Sequence, residues 1–528
     1  MNKICLLDCT LRDGGFINNW DFGETAIRNL YCGLVDARVD IIELGYIRKG
    51  TIYDRNRSVF SCTQDARWIL EGKSAPNTMK VMILDYGQCQ IDEIGRRDER
   101  DVDGIRVTFK KENIDSALEL CRQIQQRGYK VFAQPVSITD YSDLELLALL
   151  KKLEEMRPYA VSIVDTYGFM QKDDVMHLYT LFDRNLPAEI VIGYHAHNNF
   201  QLAYSNAVAL IEQHTQRKII IDASLYGMGK SAGNAGLELL MNYCNLREEN
   251  KYDLSIASEL IDTEISKYQQ DGEWGYSFLY YLAAVYRCHP KYVDHLIKKK
   301  TISVRSIARI LQFIPTAKRT SFDRDYIENA YAAAQLRPKW DDKQSYDRLL
   351  KKIGGRAVLI VATGNSVRKS TESIKEYIHK TKPYVIHLNR LYDGIPADAI
   401  FFKNEKRYQR YHREKNNMVS CLLASNMPDA KASPEGLFCI GNAVKTSAAI
   451  DNTTLVLLYI LVHAGQKKIA VAGMDGFCAG TENFSDKYQF MGGDPAAYGE
   501  INQKAQKCLN ELSEMAELFF ITPSLYKL

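Results

Sequence analysis

The sequence predicts an α/β chain in three parts: a parallel (β/α)8 barrel, a helical extension, and a smaller open-sheet, Rossmann-like α/β domain. Three observations predict it. In the first 240 residues, eight short β-branched runs alternate with helical stretches. A polar or charged residue stands at or near the end of every run, where a barrel places its active site. After Gly354-Gly355 the strand and helix alternation resumes over a shorter length. The expected domains are 1–248, 249–352 and 353–528.

The runs are Ile4–Leu7, Val39–Leu44, Lys80–Leu84, Gly104–Val107, Lys130–Ala133, Ala160–Val164, Ile190–Gly193 and Ile219–Ile221. They are mostly apolar throughout, as a strand buried on both faces must be. Stretches such as Ile114–Gln126 and Asp143–Leu153 between them have helical periodicity. From about 250 to 350, Tyr and Leu recur at helical spacing and no strand is evident. In the last part, strands are expected at 357–362, 384–388, 419–424 and 468–472, with an apolar helix at 454–464.

Composition narrows the function classes. The chain has 528 residues, 46% of them hydrophobic and 25% charged, so large cores are available. Lys and Arg total 68 against 65 Asp and Glu, a net charge of +3 that argues against a nucleic-acid binder. The longest apolar run, Leu455 to Val462, is far below the roughly 20 residues of a membrane span. The N-terminus lacks a signal-peptide pattern, and the twelve cysteines are scattered without a CxxC. These features predict reduced thiols and a cytoplasmic protein.

Three constellations carry chemistry. His195-Ala196-His197 ends the seventh run, and alternation on a strand lets both imidazoles face the barrel mouth. With Asp13 from the first strand end they form a divalent-metal site with positions open to substrate. Asp8-Cys9-Thr10-Leu11-Arg12-Asp13-Gly14-Gly15 sets a permanent cation, Arg12, beside that ligand, where it can stabilise an enolate. Gly227-Met228-Gly229-Lys230-Ser231-Ala232-Gly233-Asn234 follows the eighth run. It reads equally as a phosphate cradle or as a turn that brings Asn234 to the metal.

The Asp-x-Thr-Leu-Arg-Asp-Gly, His-x-His-Asn and Gly-x-Gly-x-x-x-Gly-Asn motifs occur in register over about residues 3–245. Together they resemble the metal-dependent aldolase/lyase barrels, which include 4-hydroxy-2-oxovalerate aldolase, 3-hydroxy-3-methylglutaryl-CoA lyase and isopropylmalate synthase. The resemblance implies Asp13, His195 and His197 as ligands to Mn2+ or Mg2+, with Co2+ or Zn2+ also admissible. It implies Asn234 as a further ligand and Arg12 as the enolate-steadying cation. It sets Glu43, Arg106 and Thr166 among the polar pocket residues. One position departs from the pattern: Phe16 stands where hydroxy-oxovalerate aldolases carry a catalytic His. Either another base serves, such as metal-bound hydroxide or Tyr194, or the substrate differs. Asn18, Asn19 and Trp20 form a rim suited to a sugar-like aldehyde.

In the last domain, Thr363-Gly364-Asn365-Ser366 after a strand is a candidate phosphate cradle at a helix N-terminus. Its layout resembles open-sheet domains of sialyltransferase-like and pterin diphosphokinase-like proteins, which implies a nucleotide or sugar nucleotide; a scaffold or dimerisation role is the alternative. The expected activity is metal-dependent C–C bond cleavage or formation through a pyruvate-type enolate, on a keto acid and an aldehyde. The alternatives are a Claisen-type acyl-CoA synthase or lyase, and a non-catalytic binding barrel. No nucleic-acid or membrane partner is expected, and a homo-oligomer is compatible.

Overall fold

The computed structural model describes residues 4–528 except 72, 214, 249, 270–273, 300–301, 337–340, 405–406, 409–410, 412–418, 425–435, 480–482 and 485–496. The chain forms two compact units, Met1–Pro290 and Lys291–Leu528.

The first unit is a closed parallel barrel. Its strands are β1 (Ile4–Asp8), β2 (Ile41–Ile47), β3 (Val59–Phe60), β4 (Met79–Asp85), β5 (Gly104–Phe109), β6 (Lys130–Pro135), β7 (Ala160–Asp165), β8 (Val191–Ala196) and β9 (Ile219–Ala223). β1 pairs in parallel with both β2 and β9, which closes a ring of eight; the two-residue β3 pairs with β2 outside it. All eight expected runs are barrel strands. They were visible because a strand covered inside and outside has no polar face to maintain.

Side chains alternate between two cores. Leu6, Ile42, Ile105 and Ile192 point outward into the large cluster under the helices. Leu7, Ile41, Phe132, Val191 and Ile220 point inward and fill the lower barrel. Two residues further along, the inward positions are Glu43, Gln134, Gly193 and Asp222, and Arg106 enters from β5. The barrel thus stacks an apolar layer beneath a buried polar one, and the site rests on the polar layer.

A bulge interrupts β2 between Glu43 and Tyr46. Gly45 adopts φ +147°, and a Cβ there would overlap the carbonyl oxygen of Ser58. The bulge turns Tyr46 toward the mouth.

The helices between residues 254 and 353 are shared between the units: Leu254–Leu260 and Phe278–Val285 lie in the first, Val304–Gln312, Arg324–Leu336 and Lys343–Ile353 in the second. The second unit carries β10 (Val358–Val361), β11 (Tyr384–Leu388), β12 (Ala399–Phe402), β13 (Ser420–Ala424), β14 (Gly436–Phe438), β15 (Lys468–Ala472) and β16 (Glu517–Phe520). They form one parallel sheet in the order β14-β13-β12-β11-β10-β15-β16. β12, β14 and β16 were not expected; each has only three or four residues, too few to show a period. The helix Thr453–His463 is apolar all round and buried at eight of its positions, so it lies inside this unit.

No helix among the described residues is long and apolar enough to cross a membrane. No disulfide joins any of the twelve cysteines, all of which lie among the described residues.

Gly45→Ala should lose on the order of 3 kcal/mol of stability, because the backbone strain and the overlap with Ser58 act together. Chemical denaturation checks this, and a loss below about 0.5 kcal/mol, the range of an innocuous surface change, contradicts the bulge assignment.

Candidate metal centre

The site starts in the turn after β1. Thr10–Gly14 forms one turn of π-helix, and the N–H groups of Arg12 and Asp13 both donate to Cys9 O, at 3.1 and 2.7 Å. Single π-turns of this kind are frequent at functional sites. The turn is pinned below by the Thr10 hydroxyl donating to Asp8 (2.6 Å) and accepting from the Leu225 N–H (2.8 Å). From above, the Trp20 indole N–H donates to Arg12 O (2.8 Å).

Asp13, His195 and His197 are buried and meet at the mouth. Their candidate ligand atoms all lie within 4.8 Å of one another, and they are the one such group among the described residues. His195 Nδ1 lies 3.0 Å from Asp222 Oδ2, an arrangement that leaves its other nitrogen for the centre. His197 Nδ1 lies 3.7 Å from Asp13 Oδ2 and has no hydrogen-bond partner although buried. Asn234 donates its amide to Asp13 Oδ2 (2.8 Å), while its buried Oδ1 also has no partner. Orphaned nitrogen and oxygen acceptors around a carboxylate are what a bound divalent cation would satisfy. The residues therefore fit the metal that the sequence implied.

The glycine loop after β9 acts here as a turn. At Gly229 a Cβ would clash with both Asn234 Nδ2 and Asp13 Oδ2. Only glycine lets the amide reach the carboxylate.

Burial raises the Asp13 carboxyl, but Arg12, His197 and His195 outweigh it and hold it below the usual carboxylate range. Burial lowers the His197 imidazole to about 3, so it is neutral and ready to coordinate across ordinary pH.

Beneath the centre runs a chain of alternating charge. Arg12 donates from Nη1 to Asp13 Oδ1 and from Nε to Glu43 Oε2, both at 2.6 Å. Glu43 Oε1 accepts from Arg106 Nη1 at 3.0 Å, and Arg106 Nη2 pairs with Asp222. Asp222 returns the chain to His195. Arg12 Nη2 has no hydrogen-bond partner among the described residues.

The other sequence candidates fall in different places. Glu43 and Arg106 are buried in the barrel floor at 0% and 1% exposure, one layer below the mouth. Thr166 sits at the rim, where its hydroxyl accepts from the Ser137 N–H (2.7 Å) and ties two loops together. Tyr194 alternates with His195 and points outward into the cluster under the helices, so it cannot serve as a base at the mouth. Phe16 packs edge-on against Trp20 (4.8 Å) and Tyr46 (6.2 Å), with Lys230 Nζ 5.1 Å from its ring.

Tyr46 is the residue that sequence reasoning missed. Burial, then Asp85, keep it a neutral phenol well above its ordinary titration range, and its hydroxyl also feels Arg12, Asp13 and Glu43. Plain alternation from Glu43 points Gly45 inward, and that glycine was the available signal of a bulge.

In the second unit, Ser366 starts a four-residue helix, Ser366–Lys369. Its N–H donates to Asp475 Oδ2 (2.7 Å), and its hydroxyl bonds both Asp475 and Thr522. Asn365 stands at the N-cap without a side-chain cap bond. The position expected for a phosphate at Ser366 thus already holds a carboxylate. Thr363 and Gly364 instead line a cavity of about 900 Å³.

Asp13→Asn keeps the shape and removes the anionic ligand. Metal affinity should fall by more than the ~10–100-fold typical of losing an outer partner. Elemental analysis after dialysis checks it, with the wild type retaining metal into weak acid because His197 resists protonation. Equal metal in the wild type and an Asp13/His195/His197 triple alanine variant would reject the site.

Comparison with known proteins bears on the barrel. Residues 3–264 match the family model described as HMGL-like. The 4-hydroxy-2-oxovalerate aldolase of Thermomicrobium roseum is 28% identical over 268 residues, spanning 50% of this chain and 73% of that protein. The enzyme of the same name from Pseudoalteromonas translucida is 26% identical over 238 residues, 45% of this chain and 68% of its own. Among solved structures, the N-terminal domain of a Bacteroides vulgatus protein described as a candidate aldolase is similar at 24% identity. That match covers 58% of this chain and 99% of that one, with a TM-score of 0.49. Through its barrel, residues 3–264, the chain belongs to the HMGL-like family.

Proposed function

We propose that the barrel is a divalent-metal aldolase that makes or breaks a C–C bond through the enolate of a pyruvate-type keto acid, with a sugar-like aldehyde as partner. The observation that carries this reading is the convergence of Asp13, His195 and His197 beside the open edge of the Arg12 guanidinium. The family match and the aldolase-named relatives support C–C lyase chemistry.

A divalent ion, Mn2+ or Mg2+ by preference, would be held by Asp13, His195 and His197 with Asn234 beside them, and supplies Lewis acidity toward the keto carbonyl. The chain's own residues do the rest. Arg12 is fixed on two sides by carboxylates and offers its remaining edge to oxyanion charge as it develops. Its position is set before substrate arrives, so no reorganisation opposes the reaction. Glu43 and Arg106 hold Arg12 and Asp222 in place from below and act as positioning residues. Phe16 cannot move a proton; in this reading the neutral phenol of Tyr46 hydrogen-bonds the aldehyde oxygen and steadies the alkoxide formed there in the condensation direction, and that alkoxide ends with the proton that the keto acid's methyl group gave up. The aromatic wall of Phe16, Trp20 and Tyr46, with Lys230 at its edge, suits the faces and hydroxyls of a sugar-like acceptor.

Two substitutions separate these roles. Arg12→Lys loses the planar fork and should cut exchange of pyruvate methyl protons by roughly 10²–10³-fold while metal stays bound. Unchanged exchange in that variant removes the enolate role. Tyr46→Phe should leave the exchange intact and slow condensation with an aldehyde by about 10²-fold. Condensation at the wild-type rate rejects Tyr46 as the donor. A screen of the metal-reconstituted protein with pyruvate and an aldehyde panel tests the reading as a whole.

A further inference from the structure

The second unit has a cavity of its own. Its sheet is wound in both directions from β10: the chain runs outward through β11 to β14, then returns to the other side of β10 as β15 and β16. Open parallel sheets bind ligands in the crevice outside the carboxyl ends of the strands at such a switch point. The cavity of about 900 Å³ lies there, and all of its lining residues belong to this unit. Thr363 and Gly364 follow β10, Asn389 follows β11, Asn404 follows β12 and Asp475 follows β15.

One lining group points directly to a ligand. Asn389 is 8% exposed and held in the left-handed region at φ 61° by its N–H donating to Phe401 O (3.1 Å). Its Oδ1 is buried and has no hydrogen-bond partner. A buried acceptor on a cavity wall costs free energy until a donor arrives.

Charge and ring character divide the cavity. At the β12 end, Lys299 and Arg407 line the wall, and the buried Lys403 is near enough to feel the charge of both. Lys299 Nζ lies 2.9 Å from Glu328 and 3.3 Å from Asp451. Burial lowers the Lys403 ammonium to about 8; Asp451 opposes that, and Lys299 and Arg407 add to it. This end gathers three cations, Lys299, Lys403 and Arg407, against the two carboxylates of Glu328 and Asp451. At the β15 end, Asp475 covers the Ser366 N–H and repels anions. Beside it, Phe477 and Phe484 stand with ring centroids 5.9 Å apart, and the Phe477 backbone is clamped on both sides by the Asn502 amide (3.0 and 2.9 Å). In the sheet, β12 and β15 are three strand spacings apart, about 14 Å. A phosphate, a sugar and a base in line span that length, whereas an inorganic phosphate does not.

We propose that this cavity binds a nucleotide, with its phosphate toward Lys299, Lys403 and Arg407, its sugar hydroxyls over Asn389, and its base against Phe477 and Phe484. The proposal is independent of the barrel's chemistry and moves the anion away from Ser366 to the opposite end of the crevice.

Calorimetry on the full-length chain tests it. The probes are the four ribonucleoside 5′-monophosphates and their diphosphates, with ribose 5-phosphate, inorganic phosphate and the unphosphorylated nucleosides. At least one nucleotide should give saturable binding at one site per chain. Loss of a charge-assisted contact in Arg407→Ala should weaken it by about tenfold or more, and the matching nucleoside should lose at least as much. Phe477→Ala should bring the nucleotide down to the affinity of ribose 5-phosphate. Both variants are compared only after melting like the wild type, and Asn389→Leu, which removes the acceptor without adding charge, should weaken nucleotide binding as well. Asp13→Asn should bind the nucleotide normally. The proposal is overturned by the absence of saturable binding for every nucleotide. Wild-type affinity in well-folded Arg407→Ala and Phe477→Ala also overturns it, as does ribose 5-phosphate binding as tightly as any nucleotide. Loss of binding in Asp13→Asn overturns it too, since the ligand would then sit in the barrel.

Discussion

The barrel site depends on one buried chain of charges, Asp13–Arg12–Glu43–Arg106–Asp222–His195. No member would be tolerable alone at this depth, because an isolated buried ion is heavily penalised. Each carboxylate lies between cationic or imidazole neighbours, and each guanidinium lies between two carboxylates. Three carboxylates against two guanidiniums leave one net negative charge, and the two ends of the chain meet where His195 and Asp13 face each other. A cation at that junction closes the chain into a ring. The same network explains why the second barrel layer is polar: a fully apolar filling would leave Arg12 free to swing and His195 free to turn.

Much of this was legible in the residues. Strands buried on both faces are continuous apolar runs, so the barrel could be counted. Alternation placed His195 and His197 on one side of β8, and the glycine loop after β9 allowed Asn234 to approach. What sequence could not give was depth. Glu43 and Arg106 have the composition of pocket residues, but they lie one layer down, where they hold other groups. The outward turn of Tyr194 was implicit in the alternation that placed His195, although its hydroxyl made it look available. Tyr46 was hidden because a single bulge reverses the facing of every residue after it.

The second unit shows a different limit. Thr363-Gly364-Asn365-Ser366 has the local features of an anion cradle, and a helix does begin there. The group that fills it, Asp475, is 109 residues away and approaches only through the pairing of β10 with β15. Local motifs describe a vacancy in the backbone; the fold decides what enters it. The short strands β12, β14 and β16 escaped notice for a related reason, since their place is fixed by neighbours in the sheet more than by their own pattern.

Gly229 has a consequence for dissecting this protein. Every presumed ligand and cation lies elsewhere, yet the one missing side chain at that position lets Asn234 meet Asp13. A genetic lesion there would leave all the coordinating groups in the polypeptide and still pry the centre open. Gly229→Ala would thus give a loss-of-function allele with an intact donor inventory, against which the weight of spacing, as distinct from composition, can be measured in the living cell.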